Sequence, residues 1–132
     1  MQIRLTESRR YSVEDKVHNK LVRDKIPDII KAKGSVPLTK VLYGGEIADC
    51  LKKKLMEETQ EFLLSSDIEE LVDIYEVILA ILNNNKVTFD EFEKMRLSKL
   101  EEKGAFKDNI YLIKVQKIEG EISLWEKNHK QG

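Results

Sequence analysis

The stretch from Leu55 to Asn85 carries eight acidic residues, Glu57, Glu58, Glu61, Asp67, Glu69, Glu70, Asp73 and Glu76, and neither lysine nor arginine. The whole chain is nearly balanced, with 23 basic and 24 acidic residues, so the imbalance is local. Two short patterns stand inside it, Glu57-Glu58-x-x-Glu61 and Glu70-x-x-Asp73. Each sets carboxylates one helical turn apart, where like charges repel. A hard divalent cation bound through oxygen relieves that repulsion. Glu58, Glu61, Glu70 and Asp73 are therefore the candidate metal ligands. Mg²⁺ is the expected cofactor, with Mn²⁺ as a substitute.

Two helices must position these groups. From about Glu46 to Leu64, Ile47, Leu51, Leu55 and Phe62 recur at spacings of four, four and seven and mark one face of a helix. Glu58 falls in the middle of that face, within about 20° of Leu51 at about 100° per residue. A carboxylate pointing coreward needs a partner, because an isolated buried charge is very costly. Glu61 flanks the stripe about 60° away. Ser66 with Glu69 has the form of a capping box and predicts the start of the next helix, which runs to about Asn84. That helix is apolar on every side from Val77 to Leu82, the mark of a central helix. Glu70, Asp73, Val77 and Ala80 continue one stripe along it. A short connection folds two such helices into an antiparallel hairpin. Glu58 and Glu61 then meet Glu70 and Asp73 at one end, where one or two ions would find several oxygen ligands.

The remaining segments frame this hairpin. Residues 1–18 have few apolar positions and read as an arm or weak element. Pro27 suits the first turn of a short helix from Ile26 to Lys33, and Gly34 is placed to end it. Val36 to Tyr43 and Ile110 to Val115 read as short strands that could pair. Thr88 with Glu91 forms a second capping box, predicting a helix from Phe89 to Lys103 closed by Gly104. Arg96, Lys99 and Lys103 lie along one side of it. Residues 119–132 read as a C-terminal tail that holds the lone Trp125 and ends in a polar run from Lys127 to Gly132. The expected class is mainly α, with one small two-stranded β element and a single domain over residues 19–118.

Composition excludes several classes. A net charge of −1 argues against a general nucleic-acid or membrane-surface binder. The lone cysteine, Cys50, allows no intrachain disulfide, and with no His placed to pair with it, it reads as a helix-packing residue. His18 and His129 sit in polar surroundings and are not read as ligands. The longest apolar run, Val77 to Leu82, is too short to span a bilayer, and the first residues lack the apolar segment of a signal peptide. The expectation is a cytoplasmic protein.

Glu57-Glu58-x-x-Glu61 followed by Glu70-x-x-Asp73 resembles the signature of the all-α NTP pyrophosphatases, the MazG-like superfamily. Asn19-Lys20-Leu21-Val22-Arg23-Asp24-Lys25-Ile26-Pro27, Lys54-Leu55-Met56-Glu57-Glu58 and Glu102-Lys103-Gly104-Ala105-Phe106 resemble its predicted house-cleaning subgroup. The resemblance covers Asn19 to Val115. It implies a MazG-like helical bundle and Mg²⁺-dependent hydrolysis of a nucleoside triphosphate between the α and β phosphates, giving a monophosphate and pyrophosphate. It carries the metal-ligand role onto Glu58, Glu61, Glu70 and Asp73. Glu57 becomes an outer-shell base or water-orienting group and, with Glu58 and Glu61, part of the catalytic set. Lys20, Arg23, Lys54, Arg96, Lys99 and Lys103 become candidate phosphate contacts. Only eight residues separate Glu61 from Glu70, fewer than in many MazG-like proteins. The loop that often shapes the nucleotide pocket is therefore minimal, which leaves substrate choice open.

Bland readings stand beside these. Glu69 and Glu76 are solvated surface groups. Lys20, Arg23 and Lys25 form either a solvated arm or a phosphate contact. Arg96, Lys99 and Lys103 pair either with local glutamates or with phosphate. Two other functions fit the same bundle: a phosphoribosyl-ATP pyrophosphohydrolase-type enzyme, and a non-catalytic module binding nucleotide or a partner chain. The apolar surface of four such helices exceeds what one hairpin can cover, so a homo-oligomer, a dimer first, is expected.

Overall fold

The structure is a computed structural model that describes residues 14–119. The arm and tail expected over 1–18 and 119–132 lie mostly outside them. Four helices follow in order: α1 (Ile26–Ala32), α2 (Gly45–Ser65), α3 (Ile68–Asn84) and α4 (Phe89–Lys103). The chain divides into two compact units between Glu93 and Lys94. The fold is mainly helical, and no helix among the described residues is long and apolar enough to cross a membrane.

Local chemistry accounts for the helix ends. Pro27 sits in the first turn of α1, where its missing N–H is no loss. Gly34 follows that helix at φ 91°, a left-handed conformation that glycine adopts without steric penalty. Thr88 and Glu91 cap α4 reciprocally. The Glu91 N–H donates to Thr88 Oγ1 at 3.1 Å, and the Thr88 N–H donates to Glu91 Oε2 at 3.3 Å. The pairing expected of Ser66 and Glu69 does not form. Ser66 instead closes α2 in the left-handed region at φ 59°, its N–H donating to the Phe62 carbonyl at 2.7 Å. Asp67 takes the N-cap position of α3 in extended backbone, and its N–H donates to Ser65 Oγ at 3.1 Å. The turn from α2 to α3 is so short that Ser66 must end one helix and cannot cap the next.

Helices α2 and α3 pack against each other as the expected hairpin. The stripe read from the sequence is the inward face of α2: Leu51 and Glu58 are buried, and Ile47, Leu55 and Phe62 are half-buried. On α3, Val77 is buried and Glu70 and Asp73 are half-buried along the same side.

Two further expectations fail. Neither 36–43 nor 110–115 forms a strand, and no strand occurs among the described residues. Val36 is 94% exposed and Leu38 fully exposed, so these side chains gain nothing from burial that would hold a ladder together. Nor is α3 enclosed. Its run from Val77 to Leu82 is half-buried for the most part, and Leu71, Val72 and Tyr75 face solvent. A helix with one neighbour covers one side only.

Because Leu51 is 4% exposed at the centre of the hairpin, Leu51→Ala is expected to cost roughly 2–5 kcal/mol of stability. Thr88→Ala, which removes only a cap, is expected to cost about 1 kcal/mol. Urea unfolding followed by circular dichroism measures both, and equal losses would contradict the placement of Leu51.

Candidate metal centre

The site is assembled from three segments of the first unit. Helix α2 contributes Lys54, Glu57, Glu58 and Glu61, and α3 contributes Glu70 and Asp73. The third segment, non-helical chain ahead of α1, contributes Lys20 and Arg23. Hairpin packing brings one carboxylate oxygen each of Glu58, Glu70 and Asp73 within 4.8 Å of one another. Oxygens on opposite sides of one Mg²⁺ stand about 4.2 Å apart. The trio thus has nearly the spread that a single ion requires.

Glu58 decides the character of the site. The residue is 7% exposed. Its Oε1 pairs with Lys54 Nζ at 3.1 Å, whereas its Oε2 is buried without a hydrogen-bond partner. A buried polar atom left unsatisfied carries a large desolvation penalty. Burial pushes the Glu58 carboxyl above the usual carboxylate range, and the neighbouring Glu61 pushes it the same way against the pull of Lys54. A cation beside Oε2 answers the penalty and favours the charged form.

Two neighbouring carboxylates, Glu57 and Asp73, are partnered. Lys20 Nζ donates to Glu57 Oε1 at 2.8 Å, and Lys54 Nζ donates to Glu57 Oε2 at 3.4 Å. Burial pushes the Glu57 carboxyl up, but the hydrogen bond from Lys20 and the charges of Lys54 and Lys20 outweigh it and hold the group below the usual range. The same hydrogen bond raises the Lys20 ammonium. A carboxylate so stabilised is a weaker base than an ordinary one. Arg23 Nη2 donates to Asp73 Oδ1 at 2.7 Å. The cluster therefore does not stand without basic partners, as the local charge gap suggested. Its cations come from just before the gap, at Lys54, and from residues 37 and 50 positions away in the chain.

The remaining candidates fall as follows. Glu61 is not one of the three converging groups, though it lies close enough to Glu58 to affect its proton affinity. Lys54 is largely buried and turned to Glu57 and Glu58. Arg96, Lys99 and Lys103 lie on the part of α4 that belongs to the second unit. There Lys99 lines a shallow hollow with Lys94, Met95, Ser98 and Glu102, and Lys103 ends the helix, where a cation suits the helix dipole. Sequence reasoning missed the direct pairing of Lys20 and Arg23 with the acidic residues. The available signal was the charge gap itself, which requires cations from elsewhere.

The two glutamates oppose one another in pH dependence. Glu58 binds its proton more tightly folded than unfolded, so its charge costs stability above its raised pKa, and the cost disappears as pH falls from there to 4.5. Glu58→Gln is therefore expected to be more stable than wild type at pH 7 without divalent cations, with the gap closing on acidification. Glu57 has the lowered value, so it contributes stability above pH 4.5 that is lost as pH falls below it. Glu57→Gln is expected to be less stable at pH 7. Melting curves from pH 7 to pH 3 in chelator check both signs, and a Glu58→Gln gap that widens on acidification would refute the assignment.

Comparison with protein-family models, with curated proteins and with solved structures finds no match to this chain.

Proposed function

We propose that the protein is a Mg²⁺-dependent nucleoside triphosphate pyrophosphohydrolase, cleaving between the α and β phosphates and acting on non-standard nucleotides. The observation that carries the reading is the buried, unpartnered Oε2 of Glu58 in a trio of carboxylates drawn from two helices. Such a donor set, all oxygen and rich in charge, suits a hard cation and not a soft one. The order of the acidic patterns, with the Asn19 to Pro27 segment before them, supports the choice of reaction through the resemblance to MazG-like enzymes.

Within this reading each residue has a task. Glu58, Glu70 and Asp73 hold the ion, and Glu61 stands beside Glu58 as a further carboxylate. Bound Mg²⁺ would supply neutralisation of phosphate charge and a more acidic water. Lys54 keeps Glu57 and Glu58 in place as a buried counter-charge. Glu57, low in basicity, orients a water through an acceptor oxygen more readily than it removes a proton. Lys20 and Arg23, exposed at the edge of the site, are the cations placed to meet phosphate oxygens.

A dimer belongs to the same proposal. Among the described residues only Leu51, Val77 and Glu58 are buried, so most apolar side chains of the described helices keep exposed surface. Leu71, Val72 and Tyr75 on the open side of α3 give a second copy an apolar surface to cover.

Four outcomes are expected. Phosphorus NMR of a nucleoside triphosphate reaction should show pyrophosphate released in one step, and stepwise loss of orthophosphate would sink the assignment. Glu58→Gln and Asp73→Asn should lose turnover by orders of magnitude with helix content kept. Mg²⁺ at a hundredfold excess over its dissociation constant should stabilise the wild type by about 2.7 kcal/mol, and an equal gain in Glu58→Gln would show that the ion binds elsewhere. Light scattering should report a dimer, and a fully active monomer at micromolar concentration would refute that part.

A further inference from the structure

The three cations around the acidic trio are not equivalent. Lys54 has a side chain only 14% exposed and faces Glu58, whose side chain is 9% exposed. Arg23 is half exposed, and its partner Asp73 is 38% exposed. Both pairs neutralise members of the trio, yet their strengths differ in kind. A buried pair is weakly screened by water and salt. An exposed pair is screened by water and salt and contributes little to stability. Arg23 is also carried on non-helical chain, whereas Lys54 is fixed on α2 one turn from both its partners.

We propose that Arg23 is an exchangeable counter-cation: a divalent ion entering the Glu58–Glu70–Asp73 trio displaces its guanidinium from Asp73, and the freed guanidinium then binds the phosphate of the incoming nucleotide. The inference rests on the reading of the trio as a divalent-cation site. Charge drives both halves of the exchange. A double positive charge beside Asp73 repels the guanidinium and competes with it for the same carboxylate. The anion that follows restores negative charge, and a guanidinium matches phosphate geometry with paired donors. Binding is thereby ordered, ion before nucleotide. Without the ion, Arg23 is held by Asp73 and the anion would meet a cluster of carboxylates. Lys20 bonds Glu57, which lies outside the trio, so the entering ion does not compete for that carboxylate.

The exchange is reciprocal, so removing the guanidinium must favour the ion. Mn²⁺ alone is the probe, followed by electron paramagnetic resonance of the free ion at low salt. Arg23→Gln should bind Mn²⁺ about fivefold more tightly than wild type, and Arg23→Lys should stay near wild type. With Mg²⁺ saturating, Arg23→Gln should raise KM for the nucleotide more than it lowers kcat. In the wild type, saturating Mg²⁺ without nucleotide should speed hydrogen exchange at amides 22–24, a readout that needs no variant. If the wild type binds Mn²⁺ but Arg23→Gln binds it no more tightly, or if Mg²⁺ slows exchange at 22–24, the exchange is wrong while the metal site stands. If the wild type binds no Mn²⁺, both fail.

Discussion

The arrangement depends on one constraint: a carboxylate, Glu58, lies on the apolar face of α2 and must be neutralised there. Moving a charge out of water is expensive unless it is paired and hydrogen-bonded. Lys54 answers half of the requirement, taking one oxygen of Glu58. The other oxygen is buried without a partner, and α3 brings two more carboxylates within 4.8 Å of the Glu58 carboxylate. Packing and electrostatics thus pull in opposite directions at the same point. The face that holds α2 to α3 also carries the charge that resists their approach. Such local conflicts mark functional sites more often than structural ones.

The helices were legible because their signals are local. Pro27 and Gly34 bracket α1, the reciprocal pairing of Thr88 and Glu91 starts α4, and the stripe of Ile47, Leu51, Leu55, Glu58 and Phe62 names the buried side of α2. The convergence of Glu58 with Glu70 and Asp73 follows from the hairpin alone. What failed depends on context outside any short window. Alternation at 36–43 is a strand only when another strand supplies the ladder. A capping box at Ser66 needs an extended residue there, and the preceding helix claims that residue first.

The counter-cations were the least legible part. Lys20 and Arg23 stand three residues apart in a segment with no periodicity, so their bonds to two different helices leave no trace in spacing patterns. Geometry nonetheless permits it: three residues of extended chain reach about 10 Å, close to the 8–10 Å between the axes of packed helices. One cation can serve α2 while the next serves α3. The segment links the two arms of the hairpin at their acidic end, where they would otherwise be pushed apart.

The separation of these contacts along the chain has a consequence for the order of folding. The hairpin closes through a turn of two residues, Ser66 and Asp67, so its contacts are local and inexpensive in chain entropy. The ion pairs of Lys20 and Arg23 close loops of 37 and 50 residues. Local contacts form early and distant ones late. The acidic residues of α2 and α3 are therefore gathered before the cations of the preceding segment arrive. During that interval the chain carries its least compensated charge, and dissolved cations stand in for Lys20 and Arg23. Ionic strength then enters as a determinant of the folding rate, although in the finished protein the same exposed pairs contribute little.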